Sequence, residues 1–303
     1  MFGLGRPQTV AENEAEGEVA RVYHEIRQVL RVSGVNLIFR KLASYRSFPT
    51  LWDAVRPNAE SRAFEDGADR IRAEAVRVAE GLGRVGARGR VPLGESQAYQ
   101  VVKAFELYHY VNPKLLVLTS ALGLALNGES DGRPRAEPGL EQVERGVPPR
   151  MYPMEMISEE TDDGHLRDLF GDIKRTLNLP SVNSDYRTLA LWPGYLAVAW
   201  EGLKPIVGSD EHRRAGEALG ETARSVARAL PLAVPLSREK IDELGDDAAE
   251  VAEMIATFER LLPSLILNVA LIGLDWRSPD DLTRSPFPAT PRHRADLRPG
   301  DPS

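Results

Sequence analysis

Apolar residues recur along this chain at the three- and four-residue spacing of amphipathic helices. Val19, Val22, Tyr23, Ile26, Val29 and Leu30 form one stripe, and Ala68, Ile71, Ala75, Val78 and Ala79 another. Leu219, Ala223, Val226 and Ala227 repeat the second stripe later on. No run alternates β-branched and polar residues, so the pattern predicts an all-α fold. The longest apolar runs, Leu115 to Leu126 and Leu261 to Leu274, fall short of the roughly 20 residues of a membrane span and read as buried core helices.

The pattern also repeats. Val35-Asn36-Leu37-Ile38-Phe39-Arg40-Lys41-Leu42-Ala43 is echoed 147 positions later by Val182-Asn183-Ser184-Asp185-Tyr186-Arg187-Thr188-Leu189-Ala190. Trp52, Arg56 and Pro57 match Trp200, Lys204 and Pro205 at an offset of 148, and Pro113-Lys114-Leu115-Leu116 matches Pro263-Ser264-Leu265-Ile266 at 150. A period this long is no solenoid, whose units are roughly 20–50 residues. It predicts two tandem helical repeats packed about an approximate two-fold axis as a pseudo-dimer, with a site between them. The division is 1–127 and 151–277 for the repeats, with 128–150 as a Gly-, Pro- and charge-rich linker. The proline- and arginine-rich tail, 278–303, is expected to be disordered. Gly81 to Gly94 and Pro231 to Ser237 are expected loops in equivalent places.

Composition narrows the chemistry. The chain of 303 residues has no cysteine, which excludes disulfides and thiol nucleophiles, and its net charge of −7 argues against nucleic-acid or anionic-membrane partners. An anionic ligand would therefore need a locally positive pocket. No secretory signal is visible, so a cytoplasmic protein is expected. The five histidines have no metal-ligand spacing, and no cofactor is expected. His109 reads as a core residue, Trp52 and Trp200 as packing, and the paired Arg40 and Arg187 as a buried salt-bridge position. Gly3-Leu4-Gly5 lacks the rest of a phosphate-loop fingerprint.

One difference between the copies carries candidate chemistry: Asp185 stands where the first copy has Ile38. The position tolerates an apolar side chain, so the carboxylate needs a reason. It is either a helix cap or a functional group. Asn112 before Pro113 likewise reads as a helix N-cap.

The segment Ser184-Asp185-Tyr186-Arg187-Thr188-Leu189-Ala190-Leu191-Trp192-Pro193, with Leu30-Arg31-Val32 and Asn112-Pro113-Lys114-Leu115-Leu116, resembles the group I (DehI-type) 2-haloacid dehalogenases over nearly the whole chain. The resemblance implies a helical pseudo-dimer that hydrolyses small 2-haloalkanoic acids to 2-hydroxyacids with inversion, and a homodimer as its assembly. It implies an aspartate after a serine, here Asp185 after Ser184, that activates water without a covalent ester or a metal. One carboxylate suffices for this, because a departing halide needs no proton donor. By the same resemblance Asn112 is a pocket asparagine, and Ser61 and Glu65 match a hydroxyl and glutamate spaced to share a helix face. Glu65 also reads as an exposed helix glutamate. Gly34, Leu37, Leu115 and Asn36 depart from the aromatic or small apolar residues of relatives and predict a wider, differently polar pocket. Two other readings are an enzyme of the same fold acting on a non-halogenated small acid, and a non-catalytic helical binding protein.

Overall fold

The computed structural model describes residues 9–129 and 140–292. Residues 1–8 with Gly3-Leu4-Gly5, part of the expected linker (130–139) and the end of the expected tail (293–303, with His293) lie outside the described residues. Among the described residues there are helices and two isolated β-bridges but no strand, so the fold is all-α.

Five helices come first: α1 (Gly17–Val29), α2 (Leu37–Leu42), α3 (Phe48–Ala59), α4 (Arg62–Leu82) and α5 (Glu95–Leu126). After the connection come α6 (Gly164–Leu177), α7 (Ser184–Leu189), α8 (Pro193–Val207), α9 (Asp210–Arg228), the short α10 (Arg238–Glu243), α11 (Ala248–Gly273) and α12 (Pro279–Leu282). The sequence stripes become the buried faces. Val22, Tyr23, Ile26 and Val29 are the buried residues of α1, and Leu219, Ala223, Val226 and Ala227 are among those of α9.

Several helix starts are set by capping side chains. Ser61 accepts from the Phe64 amide at α4, and Ser209 accepts from the His212 amide at α9, both at 3.2 Å. Other contacts recur at the offsets of the sequence repeat. The Val35 amide donates to Glu12 and the Val182 amide to Glu159; Trp52 Nε1 donates to Glu25 and Trp200 Nε1 to Asp172. The rings of Phe39 and Trp52, and of Tyr186 and Trp200, meet edge-on at the same 6.0 Å.

The two long helices α5 and α11 pack together at the centre. From Val101 onward α5 is buried on nearly every side, which its apolar run dictates. Among the described residues α11 is long and apolar enough to cross a membrane, but most of it is buried inside the fold as a core helix. Each contains a proline, Pro113 or Pro263. Pro113 has no amide hydrogen, so the carbonyl of His109, four residues earlier, lacks its helical donor. Arg72 from α4 supplies one, with Nε 3.0 Å from that oxygen.

The tail and the connection both depart from the sequence expectation. The chain from Ser278 to Arg292 is not structureless. Leu282 and Phe287 are buried, Phe287 meets Tyr110 edge-on at 5.3 Å, and Arg31 donates to the Phe287 carbonyl. Two apolar anchors and donors from the core hold this strap, and neither creates a periodic pattern. In the connection, Val143 is buried and pairs with Pro291, and Gln142 pairs with Ser61, so this part of the expected linker docks on the helices.

Candidate active site

The short helix α7 begins after Asn183, whose side chain makes no capping hydrogen bond. Asp185 lies in its first turn, 4% exposed, and its Oδ1 accepts from Asn112 Nδ2 of α5 at 3.0 Å. The carboxylate is therefore turned inward and held by the other half of the chain, not spent as an exposed cap. Asn112 is not an N-cap either, because α5 runs unbroken from Glu95 through Pro113. Its amide is free to reach across.

Beside this pair is a cavity of about 30 Å³, room for roughly one water molecule. Asn36, Leu37, Ile38, Tyr108, Asn112 and Leu115 line it from the first half, and Asn183, Ser184, Asp185, Phe258, Leu262 and Leu265 from the second. Six of the expected site residues thus meet here: Asp185, Ser184, Asn112, Asn36, Leu37 and Leu115. The side-chain oxygen of Asn36 is buried without a hydrogen-bond partner. A smaller void of about 10 Å³ on another side of Asp185 is lined by Tyr186, Asn268 and Tyr108 among others. A larger groove, about 890 Å³, lies over the α9 surface and does not reach Asp185.

Ser61 and Glu65 line neither space beside Asp185. Ser61 caps α4 and donates to the Asn58 carbonyl. Glu65 is buried rather than exposed, and its carboxylate accepts from Lys114 Nζ at 2.6 Å. The same ammonium donates to the Leu30 carbonyl and to the Tyr110 hydroxyl. That network ties α4 to α5 behind the cavity wall. The expected salt bridge at Arg40 and Arg187 is also absent among the described contacts. Arg187 Nε donates to the Ile157 carbonyl, and Arg40 Nε is buried without a partner.

Gly34 stands outside the cavity lining. A side chain there would meet Met154 Cβ at 2.8 Å, so Met154 already fills the space an aromatic would take. Sequence reasoning passed over Tyr108, which contributes to both voids and whose hydroxyl shares a hydrogen bond with Thr188 at 2.6 Å. The available signal was the Tyr108-His109-Tyr110 triplet. His109 itself faces away, with Nε2 against the Leu282 carbonyl, and burial lowers its pKa to about 3. Leu262 and Leu265 lie in the Leu261 to Leu274 run that reads as core, and Phe258 precedes that run.

Electrostatics favour a base. Burial raises the Asp185 pKa to about 7, opposed by the Asn112 hydrogen bond and by its own backbone amide. A carboxylate poised there can take a proton from a bound water near neutral pH. Among the described residues no group of three or more His, Cys, Asp or Glu side chains is placed to hold a metal ion.

Comparison with known proteins places the chain as a whole. The family model described as "Halocarboxylic acid dehydrogenase DehI" matches residues 33–186. An "(R)-2-haloacid dehalogenase" of Pseudomonas putida is 30% identical over 274 residues, covering 86% of this chain and 89% of that protein. A second, from Rhizobium sp. (strain NHG3), is 31% identical over 228 residues, or 72% and 86% of the two chains. A solved D-2-haloacid dehalogenase mutant in complex with D-2-CPA superposes with a TM-score of 0.77 at 26% identity, covering 90% of this chain and 98% of that one. With a family model over half of its length, relatives at 30% identity or more and a matching all-α fold, this chain belongs to the DehI-type family of 2-haloacid dehalogenases.

Proposed function

We propose that this protein hydrolyses small 2-haloalkanoic acids to 2-hydroxyacids, with Asp185 as the base that activates the attacking water. The observation that carries the proposal is the buried Asp185 carboxylate, held by Asn112 from the opposite half at the edge of a water-sized cavity. In the reaction the water oxygen bonds to Cα as the carbon–halogen bond breaks. The halide leaves with the bonding electrons, and the water's proton passes to Asp185, which then loses it to solvent. Attack opposite the departing halide inverts the carbon. Asn112 orients the carboxylate, and the unpartnered oxygen of Asn36 offers an acceptor for the second proton of that water.

The pocket also bears on the substrate's charge. Burial depresses the Arg40 pKa, the nearby Arg187 charge depresses it further, and the Tyr108 hydroxyl feels both guanidinium groups. Two guanidinium groups near the cavity wall favour an anionic ligand in an otherwise acidic protein. A three-carbon haloacid exceeds the free space, so binding requires side chains such as the half-buried Leu37 to swing aside.

We further propose that 1–127 and 151–277 are two repeats related by an approximate two-fold axis, with Asp185 and Asn112 contributed one from each. The paired caps, tryptophan hydrogen bonds and aromatic contacts support this arrangement. The activity is tested by halide release from racemic 2-chloro- and 2-bromopropionate with wild type and Asp185→Asn. Release that disappears in a folded variant supports the reading. Absence of release by wild type removes it in favour of another small acid, and equal release by both removes Asp185 as the base.

A further inference from the structure

The second repeat contains a buried polar chain that the proposed reaction does not use. His212 Nε2, on α9, is 2.8 Å from Asn268 Oδ1 on α11. Asn268 Nδ2 donates to the Tyr186 hydroxyl on α7 at 2.9 Å. Tyr186 directly follows Asp185, and both residues line the narrow void together with Asn268. His212, Asn268 and Tyr186 are all buried. At its other end the chain reaches the large surface groove, whose lining includes His212.

The first repeat has none of this. At the offsets of the repeat, Tyr186 answers to Phe39, His212 to Phe64 and Asn268 to Leu118, all buried and apolar. The same architecture therefore closes around three apolar side chains in one half and three hydrogen-bonded ones in the other. The substitution coincides with the half that carries Asp185. Burying an amide, an imidazole and a phenol costs free energy that their mutual hydrogen bonds only offset, so packing alone gives no reason to prefer them. Hydrogen bonds do supply direction, which apolar contacts lack.

We propose that His212 and Asn268 are positioning residues that act through Tyr186 to fix the orientation of α7, and so hold the Asp185 carboxylate against Asn112. The proposal rests on the reading of Asp185 as the base. Helix α7 has only six residues and cannot hold its own orientation; it needs tertiary contacts. Asn112 grips it at Asp185 from α5, and the chain grips it at Tyr186 from α9 and α11. Burial keeps the His212 imidazole neutral by lowering its pKa, which suits a single ring N–H donated to Asn268.

The test compares wild type, His212→Phe and His212→Gln. Phenylalanine is the residue that the first repeat already accommodates at the equivalent position, and glutamine keeps an N–H donor at similar reach. Two readings are taken: amide hydrogen exchange of the peptide covering α7, with α2 as the internal reference, and kcat and KM for halide release from 2-chloropropionate. The expected result in His212→Phe is faster exchange confined to α7, with kcat down about tenfold and KM within about twofold. His212→Gln should restore both. Unchanged α7 exchange in His212→Phe would overturn the proposal. So would loosening spread equally over α2 and α7, or a glutamine variant that behaves like phenylalanine. A wild type inactive on haloacids would retire the dehalogenase reading, while the exchange data would still decide whether the chain positions α7.

Discussion

Asn112 Nδ2 lies 3.0 Å from Asp185 Oδ1, joining a residue of the long central helix of the first half to the short helix of the second. The hydrogen bond steadies the ionised carboxylate in a site whose burial favours its neutral form. Asn112→Leu installs the residue found 150 positions later, Leu262, just before the matching proline. Loss of the bond should raise the Asp185 pKa further, so the acid limb of kcat/KM moves to higher pH. A pH–rate profile that keeps its wild-type midpoint would remove Asn112 from this role.

Asp185 should also leave a mark on stability. Its folded pKa of about 7 exceeds its unfolded value, so the folded state binds the proton more tightly. This contribution is fully present below the unfolded pKa and is lost as pH rises through about 7. Asp185→Asn, which cannot ionise, should therefore gain stability relative to wild type between pH 5 and 8, by about a few kcal/mol at most. Urea unfolding of both proteins across that range checks the sign. Activity should move oppositely, since removing a general base costs about 10²–10⁴-fold in rate.

Glu65 and Lys114 should matter for folding rather than for the chemistry. Breaking a buried ion pair at one end leaves an uncompensated charge, typically a loss of about 3–5 kcal/mol. Lys114→Met should lower the melting temperature strongly, and Lys114→Met with Glu65→Leu should recover part of it. A double variant no more stable than the single one would show that the pair is not the source of the loss.

Leu37 is a partly exposed member of the cavity lining, whereas Leu115 is buried. Leu37→Ala should widen the entrance with little cost in stability and raise the relative kcat/KM for 2-chlorobutyrate over 2-chloropropionate. Leu115→Tyr should do the reverse by filling space at the wall. Steady-state kinetics on the two acids reads both. Parallel losses on both substrates would place neither residue at the specificity wall.

Helix type and the repeat could be read from the sequence because both are local or colinear properties. Apolar spacing selects which face of α1 or α9 is buried, and the match of 35–43 with 182–190 needs no coordinates. The same comparison singled out Asp185, since a carboxylate opposite Ile38 is visible by alignment alone. Tertiary structure decided everything that depends on contacts between distant segments. It turned Asn112 from a possible cap into the partner of Asp185, and sent Glu65 to Lys114. It also put Tyr108 rather than His109 at the cavity and anchored Phe287 on Tyr110. A helical period fixes the face on which a side chain lies. Only the packing of α4, α5, α7 and α11 fixes what that side chain meets.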